Sequence, residues 1–179
     1  LFAILQSRVH AVWANGENTS MRCDIRYNPT RCFETFPFPE TEPCVLIGAL
    51  EDIGKQLYNS RAKYMADSDQ GLTQSYNALK NLECEDERIL ELRWLHEEMD
   101  RAVIGAYGWA DIKVPPYCPL NGKEEAAVEA FNNEVIDRLY VLNAERAAEE
   151  ELQGLSKAAT KNKPPKKKTP EPNPTLDLF

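Results

Sequence analysis

Asp86 to Gly108 reads DERILELRWLHEEMDRAVIGAYG, and this stretch sets the fold class. Ile89, Leu92, Leu95, Met99, Ala102 and Ala106 recur three or four residues apart, the spacing of one face of an α-helix. The pattern predicts a helix over about 86 to 107, with Gly108 at the position just past its end, where a left-handed residue commonly stops the chain. Working outward, a short helix is expected at about 73 to 81, after Gly71. A long helix precedes it: Thr41 can cap it, Pro43 sits near its first turn, and Leu46, Leu50, Ile53, Leu57 and Tyr64 form its stripe. Downstream, WADIKVPPYCPLNG (109 to 122) is too rich in proline for regular structure. A last helix is expected at about 123 to 152, with Val128, Phe131, Val135, Leu139 and Leu142 inward and the charged AERAAEEEL end in solvent.

The N-terminal part is less regular. Leu1, Leu5, Val9, Val12 and Trp13 suggest one helix that stops at Gly16. Residues 16 to 31 hold Gly, Asn, Asp and Pro and read as loop or short strand. In CFETFPFP (32 to 39), Pro37 and Pro39 remove two amide donors and favour extended backbone before them. Phe33, Phe36 and Phe38 would pin this strip to a surface. The expected fold is therefore mainly α, with about four helices, an extended Pro/Phe strip near the N-terminus and a Lys/Pro-rich C-terminal tail. The tail, including KNKPPKKKTPEPNP, has too few apolar residues to bury and is expected to be disordered. The boundaries fall at 1–40, 41–152 and 153–179. LFAIL at the start reads as the middle of a helix, so the chain looks cut there, and its first helix and Phe strip are expected to pack against a part that is missing.

Charge restricts the partners. The formal net charge is −8. From Leu155 onward six Lys face Glu171 and Asp177, a net of +4, so the remainder carries −12. So acidic a body is a poor general polyanion binder, and any DNA contact needs a local basic surface. Arg22, Arg26 and Arg31 provide the most basic stretch, with only Asp24 and Glu34 among them. No apolar run is long enough for a membrane span, and no signal peptide is seen. The five cysteines, at 23, 32, 44, 84 and 118, show no framework spacing. Free thiols in a reducing cytoplasm are expected.

Catalytic and metal signatures are not found. GxSxG, HExxH and phosphate-loop patterns are absent. His10 and His96 have no His or Cys at ligand spacing and read as helix-surface or interface residues. Glu97, Glu98 and Asp100 lie close together on one helix and fan to different faces, as on a solvated surface. Trp94, Tyr107 and Trp109 read as core or interface.

Three blocks carry a family resemblance. The first is FAILQSRVHAVW (2 to 13) with MRCDIRYNPTRCFETFPFP (21 to 39). The second is LYNSR (57 to 61) with GLTQSYN (71 to 77). The third is LHEEMDRAV (95 to 103) with AYGW (106 to 109). Together, over about residues 1 to 112, they resemble the end of the target-recognition region and the C-terminal helices of large adenine-specific DNA methyltransferases. That group includes the type IIG restriction–modification and phage-exclusion enzymes. The resemblance implies a cytoplasmic parent that transfers a methyl group from S-adenosylmethionine to adenine N6 in double-stranded DNA, with its catalytic domain preceding this region. Such a parent needs an Asn-Pro-Pro-aromatic loop to hold a flipped adenine. Asn28-Pro29-Thr30 lacks the second proline and the aromatic; Val114-Pro115-Pro116-Tyr117 has Val, which offers no acceptor, and reads as a structural turn. No catalytic, cofactor-binding or metal-binding residue is therefore assigned here.

Arg22, Arg26, Tyr27 and Arg31 are the candidate DNA-binding residues, since Arg serves both phosphates and guanine edges. Pairing with nearby carboxylates, or capping of helix ends, is the plain alternative for the arginines. A different reading makes the chain a non-enzymatic helical interaction module. In a third, TLDLF (Thr175 to Phe179) resembles the peptide that bacterial replication proteins insert into the sliding clamp, with Thr175 where a leading Gln is usual.

Overall fold

The computed structural model describes residues 1–17, 27–40, 45–152 and 154, and the side chains of all of these except residues 17 and 45–47. The expectations for Arg22, Arg26, Cys23, Cys44, Thr41, Pro43, the Leu46 side chain and the lysine-rich tail lie outside these residues. Among the described residues there are seven helices and no strand: α1 (Phe2–Gln6), α2 (Arg8–Glu17), α3 (Pro29–Cys32), α4 (Val45–Ser68), α5 (Leu72–Lys80), α6 (Glu87–Ala106) and α7 (Gly122–Leu152). Leu1 to Ala144 forms one compact unit, and the chain from Glu145 onward counts as a second. No described helix is long and apolar enough to cross a membrane.

The four helices expected after residue 40 are α4 to α7. In α6, Ile89, Leu92, Leu95, Met99 and Val103 are fully buried and face Leu50, Ile53, Leu57 and Tyr64 of α4 within one core. Asp86 starts α6 by accepting the Arg88 amide at 2.9 Å. The Arg88 guanidinium, and after it that amide bond, lower the pKa of the Asp86 carboxyl to about 2. Gly108, at φ +73°, ends the helix. Its amide reaches the Gly105 carbonyl and the Trp109 amide reaches Ile104, the paired bonds that satisfy the last carbonyls. Asn121 caps α7 by accepting the amides of Lys123 and Glu124 at 3.1 Å. Phe131, Val135 and Leu139 of α7 join the core, while its residues 147–152 are exposed.

The N-terminal segment differs from expectation. Ser7 splits the predicted single helix. Its backbone is extended (ψ 157°), its hydroxyl donates to the Ile4 carbonyl at 2.6 Å, and the same oxygen accepts the His10 amide. A serine that bonds its own backbone this way competes with a continuous helix. The break changes which residues point inward: Ala3, Ile4, Val9 and Trp13 are buried, whereas Leu1 is 70 % exposed. Gly16 is not a stop either, because α2 runs to Glu17. Ala3, Ile4, Val9 and Trp13 pack into this chain's own core with Phe36 beside them, while Leu1 and Phe2 stay exposed.

Arg8 fastens that packing. Its amide and Nε donate to the two Asp100 carboxylate oxygens at 2.8 and 2.6 Å, and its terminal nitrogens donate to the Pro115 and Pro116 carbonyls at 2.7 and 3.1 Å. The guanidinium also lies over the Phe131 ring at 5.3 Å. In Val114-Pro115-Pro116-Tyr117 the two proline carbonyls thus receive a cation, a structural role for this segment. Asp100, expected in solvent, is 1 % exposed. Burial pushes its carboxyl upward, against the pull of Arg8.

Both histidines are also buried rather than superficial. His96 stacks on Tyr117 at 4.5 Å, and its Nε2 is enclosed without a hydrogen-bond partner. Burial, and then the charges of Arg61 and Arg8, lower its pKa from 6.5 to about 4. Between those values the unfolded chain binds a proton that the native chain refuses, so stability falls as pH falls. By pH 4.5 this one group should remove about 2–3 kcal/mol. His96→Phe keeps the stack and has nothing to titrate. Its urea-unfolding free energy should therefore drop less between pH 7 and pH 4.5 than that of the parent; equal drops would contradict the assignment.

Candidate nucleic-acid interface

The site is built on the chain that leaves α2 and returns through α3. Pro29 occupies the first turn of α3, and Asn28 caps it by accepting the Thr30 amide at 3.1 Å. One helical turn therefore stands within the stretch expected to be loop or strand. It brings Tyr27 and Arg31 to the surface four residues apart, both exposed.

Several fixed points tie this turn to the core. The Tyr27 hydroxyl meets His10 Nε2 at 3.1 Å. The His10 ring sits edge-on to Phe36 at 4.7 Å, and Phe36 packs edge-on to Trp13 at 6.2 Å. The Cys32 thiol, fully buried, points at the Ala14 carbonyl. Tyr27 is thus an exposed ring whose hydroxyl end is held. Burial, with a smaller contribution from Cys32, raises the phenol pKa, and burial lowers that of His10. The neutral form of each is favoured, and both keep their hydrogen-bonding capacity across neutral pH.

The strip after α3 behaves differently from a uniform ribbon. Its first residues, 33–35, make a turn, and the Phe38 amide bonds back to the Phe36 carbonyl at 2.9 Å across Pro37. Phe36 is the anchor at 4 % exposure, whereas Phe33 is 38 % exposed and rests on Phe38 at 5.4 Å. The Pro37 carbonyl accepts the Tyr107 hydroxyl at 2.9 Å. That bond joins the strip to the end of α6, where Tyr107 stacks on Trp109 at 4.4 Å. Tyr107 and Trp109 are partly buried and pack on the core, whereas Trp94 is 53 % exposed.

Tyr27 and Arg31 are exposed on a turn that is already braced, so a ligand meeting them would lose little conformational entropy in ordering it. Residues 1–40 match the family model of the MmeI target recognition domain. In this structure the matched residues comprise α1, α2, α3 and the strip up to Glu40. The match supports DNA target recognition of the restriction–modification type for this segment, and it spans 40 of the 179 residues. No curated protein and no solved structure matches the chain.

The braces were not legible in the sequence. His10 and Tyr27 are seventeen residues apart, a separation with no periodic signature. A cue existed in composition alone: one histidine in an apolar helix, followed by a lone tyrosine in a polar segment. Among the described residues no group of three His, Cys, Asp or Glu is arranged to hold a metal ion.

Proposed function

We propose that this chain belongs to a site-specific adenine-N6 DNA methyltransferase and closes that enzyme's target-recognition region. The observation that carries the reading is the MmeI recognition-domain match, which falls on the residues that brace Tyr27 and Arg31. In this reading residues 1–40 end the recognition region, 41–152 form a helical support, and 153–179 are a tail. Arg22, Arg26, Tyr27 and Arg31 meet double-stranded DNA, the arginines at phosphates or guanine edges and Tyr27 at the backbone. S-adenosylmethionine is the methyl donor the reading implies for the parent, and none of this chain's residues is assigned to it. Methyl transfer belongs to a domain outside these residues, and this region holds the duplex while the base is turned out.

The arginines provide the test. In the intact parent, Arg22→Ala with Arg26→Ala should weaken duplex binding and reduce the slope of log affinity against log salt by about one for each phosphate no longer neutralised. Unchanged affinity and slope in fluorescence anisotropy would return both residues to a structural role.

A further inference from the structure

The outer side of α6 carries a feature that DNA recognition does not use. Leu90 and Trp94, one turn apart, are 45 % and 53 % exposed. They lie opposite the fully buried Leu92 and Met99, so the helix beneath them is fixed by the core. Glu87 and Glu91, both exposed, border the pair on one flank. Glu98 closes the next turn and is tied to Arg101, as is Glu97. The result is a leucine and a tryptophan on a rigid surface, with the exposed carboxylates of Glu87 and Glu91 on one flank and the Arg101 ion pairs one turn beyond.

We propose that this face of α6 docks a protein segment that presents an apolar side chain between lysines or arginines. Burial of a rigid, partly exposed tryptophan is the usual energetic centre of a protein interface. Charge selects the partner. The carboxylates repel phosphate, which disfavours nucleic acid, and they would meet their own kind across a symmetric pair of this face. A cationic segment gains attraction at the rim and burial at the centre. Because the helix is already ordered, association costs little on this side. The proposal is independent of the DNA reading: it uses α6, outside the matched residues 1–40.

The test uses the full chain and three probes: a short amphipathic helical peptide of leucine and lysine, its leucine and glutamate counterpart, and a short DNA duplex. The Leu/Lys peptide should bind saturably and shift tryptophan emission to the blue as Trp94 leaves water. Trp94→Ala should weaken binding about tenfold or more and abolish the shift. Glu87→Gln with Glu91→Gln should weaken it and flatten its salt dependence. Leu90→Ser gives a second apolar variant, and circular dichroism reports whether each variant is folded. Equal affinity of the parent and the Trp94→Ala chain overturns the proposal. So does preference for the Glu peptide or the duplex, or no binding of the Leu/Lys peptide. Self-association of the chain that Trp94→Ala removes would assign the face to a second copy and likewise overturn it.

Discussion

Arg8→Met should cost the fold about 3–5 kcal/mol, because it leaves the Asp100 carboxylate buried without its partner. The loss goes beyond one ion pair. Arg8 supplies two donors to Asp100 and one each to the Pro115 and Pro116 carbonyls, and the variant strips the side-chain donors from all three residues together. The backbone donor remains, which keeps the cost from rising further. The methionine stem still covers Phe131, so packing is largely retained. Asp100→Leu combined with Arg8→Met removes the charges as a pair, and the double variant should recover part of the loss. Urea unfolding of the two single variants and the double variant measures this. A single-variant cost below about 1 kcal/mol would show that the pair is no clamp. Strict additivity would show that the two side chains do not act as a unit.

Phe36→Ala should be nearly as damaging, at about 3–5 kcal/mol, the range for removing a buried phenylalanine. Phe36 is 4 % exposed and touches His10, Trp13 and Phe38. Phe33→Ala, two-fifths exposed and in ring contact with Phe38 alone among the described aromatics, should cost less than about 1 kcal/mol. The contrast separates two residues that look equivalent in the motif. Thermal unfolding of both variants decides it, and equal shifts would mean that the strip packs as a uniform ribbon. In the Phe36 variant, Tyr27 should also lose its held position, since the His10 ring that grips it loses its main neighbour.

What the sequence revealed follows from the range of the interactions. The inward face of α6 is a matter of three- and four-residue spacing, so Ile89, Leu92, Leu95 and Met99 could be named from the pattern alone. The end signal at Gly108 is equally local. The break at Ser7 was hidden because the apolar residues on each side continue a plausible stripe, and only the hydroxyl's bond to Ile4 reveals the stop. Asp100 was misread for a related reason. Its charge predicts solvent, and nothing near it announces a partner 92 residues away. His96 shares that fate, being buried by a turn about twenty residues downstream. At the candidate interface, exposure of Tyr27 and Arg31 follows from their polar surroundings. The hand that holds Tyr27, His10 on a neighbouring helix, follows from tertiary packing and from no spacing rule.

The reach of Arg8 also dictates an order of events during synthesis. Its acceptors at Pro115 and Pro116 leave the ribosome more than a hundred residues after it does. Until α6, and after it the Pro115 and Pro116 carbonyls, have emerged, Val9, Trp13 and Phe36 lack the core they share with that helix, and closing so long a loop is a slow step. The recognition segment therefore waits for the helical region rather than folding ahead of it. That interval is when the nascent chain is most open to proteases and to sticking to its neighbours.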